Sequence, residues 1–537
     1  MLRSRLLLIL GGVFLAGSGD ALAAAPDKDV AALAAVIDRH LSAGWDANKV
    51  QPAPPASDAE FVRRVHLDLA GRIPAVAEVR AFLDDKRPDK RRRLSAQLLE
   101  GPRYVTHFTN VWRALLLPES GNNLQASFLA PGFETWLRAK LQQNMPYDAM
   151  VRELLTVPMN GRGQNPFGQS NGAPSPIAFY LAKDVKPENL AAAASRLFLG
   201  VKIECAQCHN HPFAEWKREQ FWSFAAFFAG LQRQGRGDFV TAGRETADRR
   251  ELTIPGTERV VQAAFLDGTS PKWKYNTSTR ATLATWMTGK DNPYFARAAV
   301  NRLWGYFFGT GIIDPVDEMS GEHEASHPEL LDELARQFAE HNYDLKFLIR
   351  AITASQTYQL SSLATHKSQD DPHQFARMPL RGLSAEQLFD SIAQATGYRV
   401  ATNGNRRFFG NQGVRGRFLT QFANVSDKTT EVQTSILQAL SMMNGQVTAA
   451  ATDLERSETL AALLDAPFMD TAERIETLYL AALSRQATPR ELARTIKYVE
   501  SGGSAGDSST DKEKNYHRAL ADVFWVLLNS GEFFLNH

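Results

Sequence analysis

The 537-residue sequence predicts a mainly α-helical protein: two helical domains joined by a loop-rich segment with a few short β-strands. Apolar residues recur at three-and-four spacing along most of the chain, the signature of one-sided helices. Strand-like alternation is confined to two short runs, 251–254 and 259–265. With 44% hydrophobic residues, a chain of this length supplies more than one core.

The first element is a leader. Residues 1–25 open with Arg3 and Arg5, continue through an apolar run over 6–16 and end in Ala21-Leu22-Ala23 and Ala23-Ala24-Ala25, the layout of a cleavable secretory signal peptide. The apolar run falls short of the ~20 residues a spanning helix needs, so no integral membrane span is expected in the mature chain. The expected location is periplasmic or extracellular. Removing residues 1–25 takes away Arg3, Arg5 and Asp20 and leaves 58 charges of each sign. That balance excludes a whole-face field for nucleic acid or anionic lipid.

The first helical domain is expected over 27–232. Its helices fall at 30–41, 61–69, 76–83, 91–99, 133–142 and 147–155, with the Pro-rich stretch 51–55 between the first two. The basic run 86–93 reads as a solvated helix start. Residues 160–176, rich in Gly, Asn and Pro, form a long loop. A helix over 188–199 stops at Gly200, and another over 218–231 carries Phe221, Trp222, Phe224, Phe227 and Phe228. Residues 233–290, with more Gly and charge, connect to a second helical domain over 291–537, where 501–510 reads as a loop by composition. No repeat of 20–50 residues is present, so a solenoid is not supported.

Both cysteines of the chain lie in Cys205-Ala206-Gln207-Cys208-His209, followed by Asn210-His211-Pro212-Phe213. Cys-x-x-Cys-His is the attachment sequence of c-type haem: two thiols form thioethers with the vinyl groups, and the adjacent histidine becomes an iron ligand. Cys205, Cys208 and His209 are therefore the candidate cofactor-binding residues, with His209 as the metal ligand. Two other readings stay open: a disulfide or thiol redox pair, and a zinc site on Cys205, Cys208, His209 and His211, although four ligands within seven residues is tighter than ordinary zinc spacing. The aromatic residues from Phe213 to Phe228 would either wall a macrocycle or form helix core. Met319, His323 and His327 are candidates for a sixth iron ligand, and none is assigned.

His323-Glu324-Ala325-Ser326-His327 matches H-E-x-x-H, where zinc chemistry requires one helix through all five residues. Pro328 disfavours a helical His327, and Ser326-His327-Pro328-Glu329 reads instead as a capping box opening a helix over 329–341. Both histidines are then expected in a loop, which leaves a metal-dependent hydrolase as the third reading. Asp314 and Asp317 form a loop carboxylate pair read mainly as turn-making. No G-x-S-x-G, P-loop or dinucleotide fingerprint is present.

Together these motifs resemble a secreted bacterial family described as planctomycete cytochrome c-like and of unknown function, joined to a second planctomycete-type domain of unknown function. The first half resembles it through Arg63-Arg64-Val65-His66-Leu67-Asp68-Leu69-Ala70-Gly71-Arg72-Ile73-Pro74 and through Phe198-Leu199-Gly200-Val201 running into the cysteine motif. The second half resembles it through Asn301-Arg302-Leu303-Trp304, Asp314-Pro315-Val316-Asp317, Ser326-His327-Pro328-Glu329-Leu330 and the closing Leu528-Asn529-Ser530-Gly531-Glu532-Phe533. The family pattern carries the later histidine alone, so His323 is incidental to it. The resemblance implies an exported, mainly helical protein, a haem-type motif on Cys205, Cys208 and His209, and a second secreted protein as partner. The expected function is a redox or electron-transfer role of a bound haem c, with zinc as the alternative cofactor. The other class is a secreted structural or binding protein whose Cys205 and Cys208 form a disulfide or metal site. The redox partner and any enzymatic activity are not specified by the sequence.

Overall fold

A computed structural model describes residues 20–121, 123–159, 174–211, 214–235, 240–275, 277–319, 323–399, 413–423, 436–503 and 511–537, with backbone alone at 20–26, 436, 437 and 439. The side chains of the expected leader, most of the 160–176 loop, Phe213 and most of the 501–510 loop lie outside the described residues. Helices dominate, and strands form three two-stranded antiparallel pairs, so the fold is mainly α as predicted. Two pairs lie in the connecting segment: Arg233–Gln234 with Thr241–Ala242, and Glu251–Thr253 with Val260–Gln262. The third joins Arg381–Gly382 to Leu535–Asn536.

Two hydrophobic cores organise the chain. One draws on residues from Val30 to Met378, together with Leu480, and includes helices on both sides of the connecting segment, such as Phe295–Phe308 and Leu345–Ala354. The other draws on residues from Leu383 to Phe533, together with Leu67 and Ile73. The Pro-rich strap after the first helix is held to the far end of the first core: Ala53 N–H donates to Ala376 O at 2.8 Å and Ala56 N–H to Gln359 O at 2.8 Å.

The helix Asp58–Ala70 lies between the cores. Ser57 caps its start by accepting from Glu60 N–H at 3.1 Å, and Gly71 closes it in the left-handed region at φ 70°. A Cβ at Gly71 would collide with the His107 ring, so the close approach, as well as the positive φ, requires glycine. Phe61, Val62, Val65 and Leu69 face the first core, and Leu67 faces the second. All ten residues from Phe61 to Ala70 are buried, including Arg63, Arg64, His66 and Asp68. A charged helix buried on every side survives only if each charge is paired.

The pairing comes from both ends of the sequence. Arg63 donates to Ala482 O at 3.0 Å and to Phe533 O at 2.9 Å, and Arg64 donates to Tyr358 O at 2.7 Å and Glu60 Oε1 at 2.7 Å. Asp68 accepts from Arg381 at 2.8 Å, Asn536 at 2.7 Å and the Tyr358 hydroxyl at 2.7 Å. Tyr306 donates its hydroxyl proton to Asp68 O at 2.7 Å, so its oxygen accepts from His107 Nε2–H, also at 2.7 Å. Burial pulls Arg63 down to about 10, still charged at neutral pH, and holds His107 neutral with a pKa of about 4. This network joins helix, loop and C-terminal residues across the two cores.

Candidate functional site

The cysteine motif begins where a helix ends unusually. Pro187–Ala194 is α-helical, as its Ala-rich sequence and first-turn proline dictate. The last turn, Ser195–Leu199, is a π-turn, where the sequence predicts a uniform helix over 188–199. The cause is a local side-chain bond: Ser195 Oγ donates to Val201 O at 2.5 Å while Val201 N–H returns to Ser195 O at 3.2 Å, widening the turn. Gly200 follows at φ 66°, and a Cβ there would meet Met319 Sδ at 2.5 Å and the Ala298 methyl at 3.2 Å. Met319 N–H donates to Gly200 O at 2.7 Å, so the loop after Asp317 is fastened to the segment leading into the motif. Lys202 and Glu318 reinforce the junction at 2.8 Å, and their pairing raises the Lys202 pKa and lowers that of Glu318.

Residues Glu204–Gln207 form a short 3-10 turn, with Cys205 within it and Cys208 just past its end. Both thiols are free and exposed. Ala206, between them, is buried and anchors the turn in the first core. The next helix, Arg218–Ala225, clamps the turn from the other side. Trp222 Nε1–H and Arg218 Nε–H both donate to Gln207 O, at 3.0 and 3.3 Å, and Arg218 reaches on to Pro255 O at 2.7 Å. Asn210 Oδ1 accepts from Arg218 N–H at 3.0 Å. Arg218, Trp222 and Asn210 are contributors the motif search missed, although the Arg-to-Trp spacing of one helical turn places both on one face.

The two histidines of the motif differ in chemistry. His209 Nδ1 lies 2.6 Å from Asn210 O. A carbonyl only accepts, so Nδ1 carries the proton and Nε2 of the neutral ring keeps its lone pair. His211 Nδ1 accepts from Ala214 N–H at 3.0 Å, which puts the proton of its neutral ring on Nε2. In their neutral forms His209 therefore presents an Nε2 lone pair and His211 an Nε2–H. Glu204, beside the turn, has its carboxyl pKa raised by burial.

Phe221, Phe224, Phe227 and Phe228 are fully buried in the first core, and Phe227 stacks on Phe265 at 5.1 Å. Of the two uses predicted for these rings, they serve as helix core.

The H-E-x-x-H histidines are in a loop. His327 is the N-cap of the helix Pro328–Glu340 at φ −138°, and makes no side-chain cap bond. Ser326, expected as the cap, donates through Oγ to Ile312 O at 3.1 Å, because its backbone N–H is already fastened to the same carbonyl at 2.8 Å. The His327 ring lies 5.7 Å from that of Phe375 and within 3.1 Å of where a Cβ at Gly44 would stand. His323 Nε2 lies 3.1 Å from Glu318 Oε2. Among the described residues no three His, Cys, Asp or Glu side chains converge as a metal-holding group, and Asp314 and Asp317 belong to none. No described helix is long and apolar enough to cross a membrane.

Residues 36–233 match a family model described as PSCyt2, protein of unknown function (DUF1549), and residues 279–416 match one described as PSD1, protein of unknown function (DUF1553). The pair is typical of planctomycete-type proteins. The cysteine turn lies in the first matched span, and the Met319 loop fastened to it lies in the second. No curated protein and no solved structure matches the chain.

Proposed function

We propose that the chain is an exported c-type haem protein with a redox role, its haem held by thioethers from Cys205 and Cys208 and ligated by His209. The observation that carries this reading is the tautomer of His209: Nδ1–H on Asn210 O leaves the Nε2 lone pair available beside two free, exposed thiols. The donor set also fits chemically, because each thiol adds across a vinyl double bond without any other reactant, and a neutral imidazole is the usual haem ligand. A haem bound there supplies one-electron chemistry at iron. The chain's own residues do the positioning: Trp222 and Arg218 hold the carbonyl of Gln207, and Asn210 orients the imidazole through its carbonyl and the turn through its side chain. The leader-like residues 1–25 point to the compartment in which such haem attachment takes place, where a secreted partner protein is also expected. The family name PSCyt2 is in keeping with this reading.

Export of the full chain in a host with haem-attachment machinery tests it. The expected result is a Soret band and a haem-stained denatured band, both lost in Cys205→Ser/Cys208→Ser. A protein with no Soret band whose mass is two hydrogens low would establish the competing reading, a Cys205–Cys208 disulfide. Two free, exposed thiols three residues apart favour that alternative above the other non-haem readings.

A further inference from the structure

We propose that the cleft between the helix Asp20–Asn48 and the turn joining the helices Pro328–Glu340 and Leu345–Ala354 binds a small zwitterion of the free amino acid class, its carboxylate on Arg350 and its ammonium on Asp29 and Asp344. No residue of the cysteine turn takes part, so the haem reading is not assumed. The cleft has a volume of about 350 Å³, within the range of about 300–1,000 Å³ usual for small-molecule sites. Asp29 enters it from the first helix, Glu340, His341 and Asp344 from the turn, and Phe347 and Arg350 from the last helix.

Charges of both signs line this cleft without neutralising each other. Arg350 forms no ion pair with a described residue, and its Nε is buried without a hydrogen-bond partner. Among the described residues Asp29 has only the His341 ring within reach, with Nε2 at 3.5 Å. Asp344 accepts through Oδ1 from the N–H groups of Lys346 and Phe347 and from Asn144, and its Oδ2 accepts from no described residue. Glu340 differs, being held by Arg336 at 2.7 and 2.8 Å. A partly buried guanidinium without a counter-ion favours a ligand carboxylate, which its planar fork can hold by two parallel bonds. A ligand with that negative charge alone would be repelled by Asp29 and Asp344, and one with a positive charge alone would be repelled by Arg350. A molecule carrying both charges complements all three.

The cleft is also preformed. Asn342 and Tyr343 both sit in the left-handed region at φ 54°, which is uncommon for residues other than glycine. They are held there by Asn342 N–H on Ala339 O at 3.2 Å, Tyr343 N–H on Phe338 O at 2.8 Å and Tyr147 N–H on Tyr343 O at 3.0 Å. His341 is fixed as well: Nδ1–H donates to Gln337 O at 2.9 Å, and the ring stacks on Phe347 with centroids 3.8 Å apart and 12° between planes. Walls ordered before the ligand arrives lower the entropy cost of binding.

Titration of the full-length protein with glycine, γ-aminobutyrate and ε-aminocaproate, followed by calorimetry and saturation-transfer NMR, tests the assignment, since these probes differ only in the distance between their charges. Saturable binding of at least one is expected, with acetate and methylammonium each weaker by about tenfold or more. Arg350→Gln and Asp29→Asn, with unchanged circular dichroism, are each expected to weaken that binding by about tenfold. Asp29 is an exposed residue, so its variant decides the matter if Arg350→Gln fails to fold. Failure of all three zwitterions to bind would overturn the proposal, as would acetate or methylammonium binding equally well, or undiminished affinity in a folded variant.

Discussion

The helix Asp58–Ala70 and the cysteine turn at Glu204–Gln207 both carry clusters of polar or reactive side chains, and the fold treats them in opposite ways. On the helix, Arg63, Arg64 and Asp68 are buried among partners reached from residues 358, 381, 482 and 533–537, and His66 is buried against Val62 O of its own helix. In the turn, both thiols and His209 face solvent, while the Gln207 and Asn210 carbonyls, the Asn210 side chain and buried Ala206 fix the backbone beneath them. Charges that are buried among several partners hold a structure together and are closed off from a ligand. Exposed groups with unused lone pairs contribute little to stability and are the ones available for chemistry. Both motifs stand out in the sequence, but only the second has the features of a site.

The sharpest way to break this comparison is to remove the centre of the first set. Asp68→Ala strands the Arg381 guanidinium and the Tyr358 hydroxyl in the interior, and breaking one partner of a buried pair costs about 3–5 kcal/mol. Urea denaturation is expected to show a loss of that size, with thiol reactivity at Cys205 and Cys208 unchanged in the protein that remains folded. A stability change below about 1 kcal/mol would show that the network is not the junction described here.

A second effect is tied to pH. His107 is neutral in the folded protein with a pKa of about 4, set first by burial, against about 6.5 in the unfolded chain. Between these values the unfolded state binds the extra proton. The contribution of His107 to stability is therefore complete above pH 6.5 and is lost as pH falls towards 4. The size of that loss is about 3 kcal/mol. His107→Gln, which retains a donor for Tyr306, should flatten the pH dependence of the denaturation midpoint in this window. An unchanged slope in the variant would assign the acid sensitivity elsewhere.

Much of this difference was legible in the sequence in kind but not in partnership. Helical periodicity located the helices that build both cores, and the two alternating runs near 251 and 260 became a hairpin at Glu251–Thr253 and Val260–Gln262. The cysteine motif was readable because its chemistry depends on residues five apart or fewer. The role of Arg63 and Asp68 was not, since their partners lie some 300 to 470 residues away and no local pattern encodes them. The same reason hid the contact of Met319 with Gly200. The π-turn was missed because Ser195 acts through a bond to a carbonyl beyond the helix end, outside any periodic pattern.

The clamp on the turn gives a smaller effect. Trp222→Phe keeps the ring in the core but removes the indole donor to Gln207 O, leaving Arg218 as the remaining donor to that carbonyl. A single neutral hydrogen bond is worth about 1 kcal/mol, so the melting temperature should fall slightly while amide exchange over 204–211 accelerates. Equal acceleration throughout the Arg218–Ala225 helix would mean that the indole bond supports the core and not the turn.

The smallest stability effect should come from the two cysteines. Cys205→Ser and Cys208→Ser replace exposed sulfur atoms in a turn whose anchoring is done by Ala206, Trp222 and Arg218. Exposed substitutions away from caps, cavities and buried pairs stay within about 0.5 kcal/mol. In protein made without haem, the two variants should therefore match the parent in denaturation midpoint and slope, even though neither variant retains the capacity for two thioethers. A loss of 2 kcal/mol or more, in the range of a native disulfide, would mean that the cysteines are joined in the parent and act as a structural staple. Equal stability with loss of haem attachment would place Cys205 and Cys208 on the chemical side of the comparison, opposite Asp68.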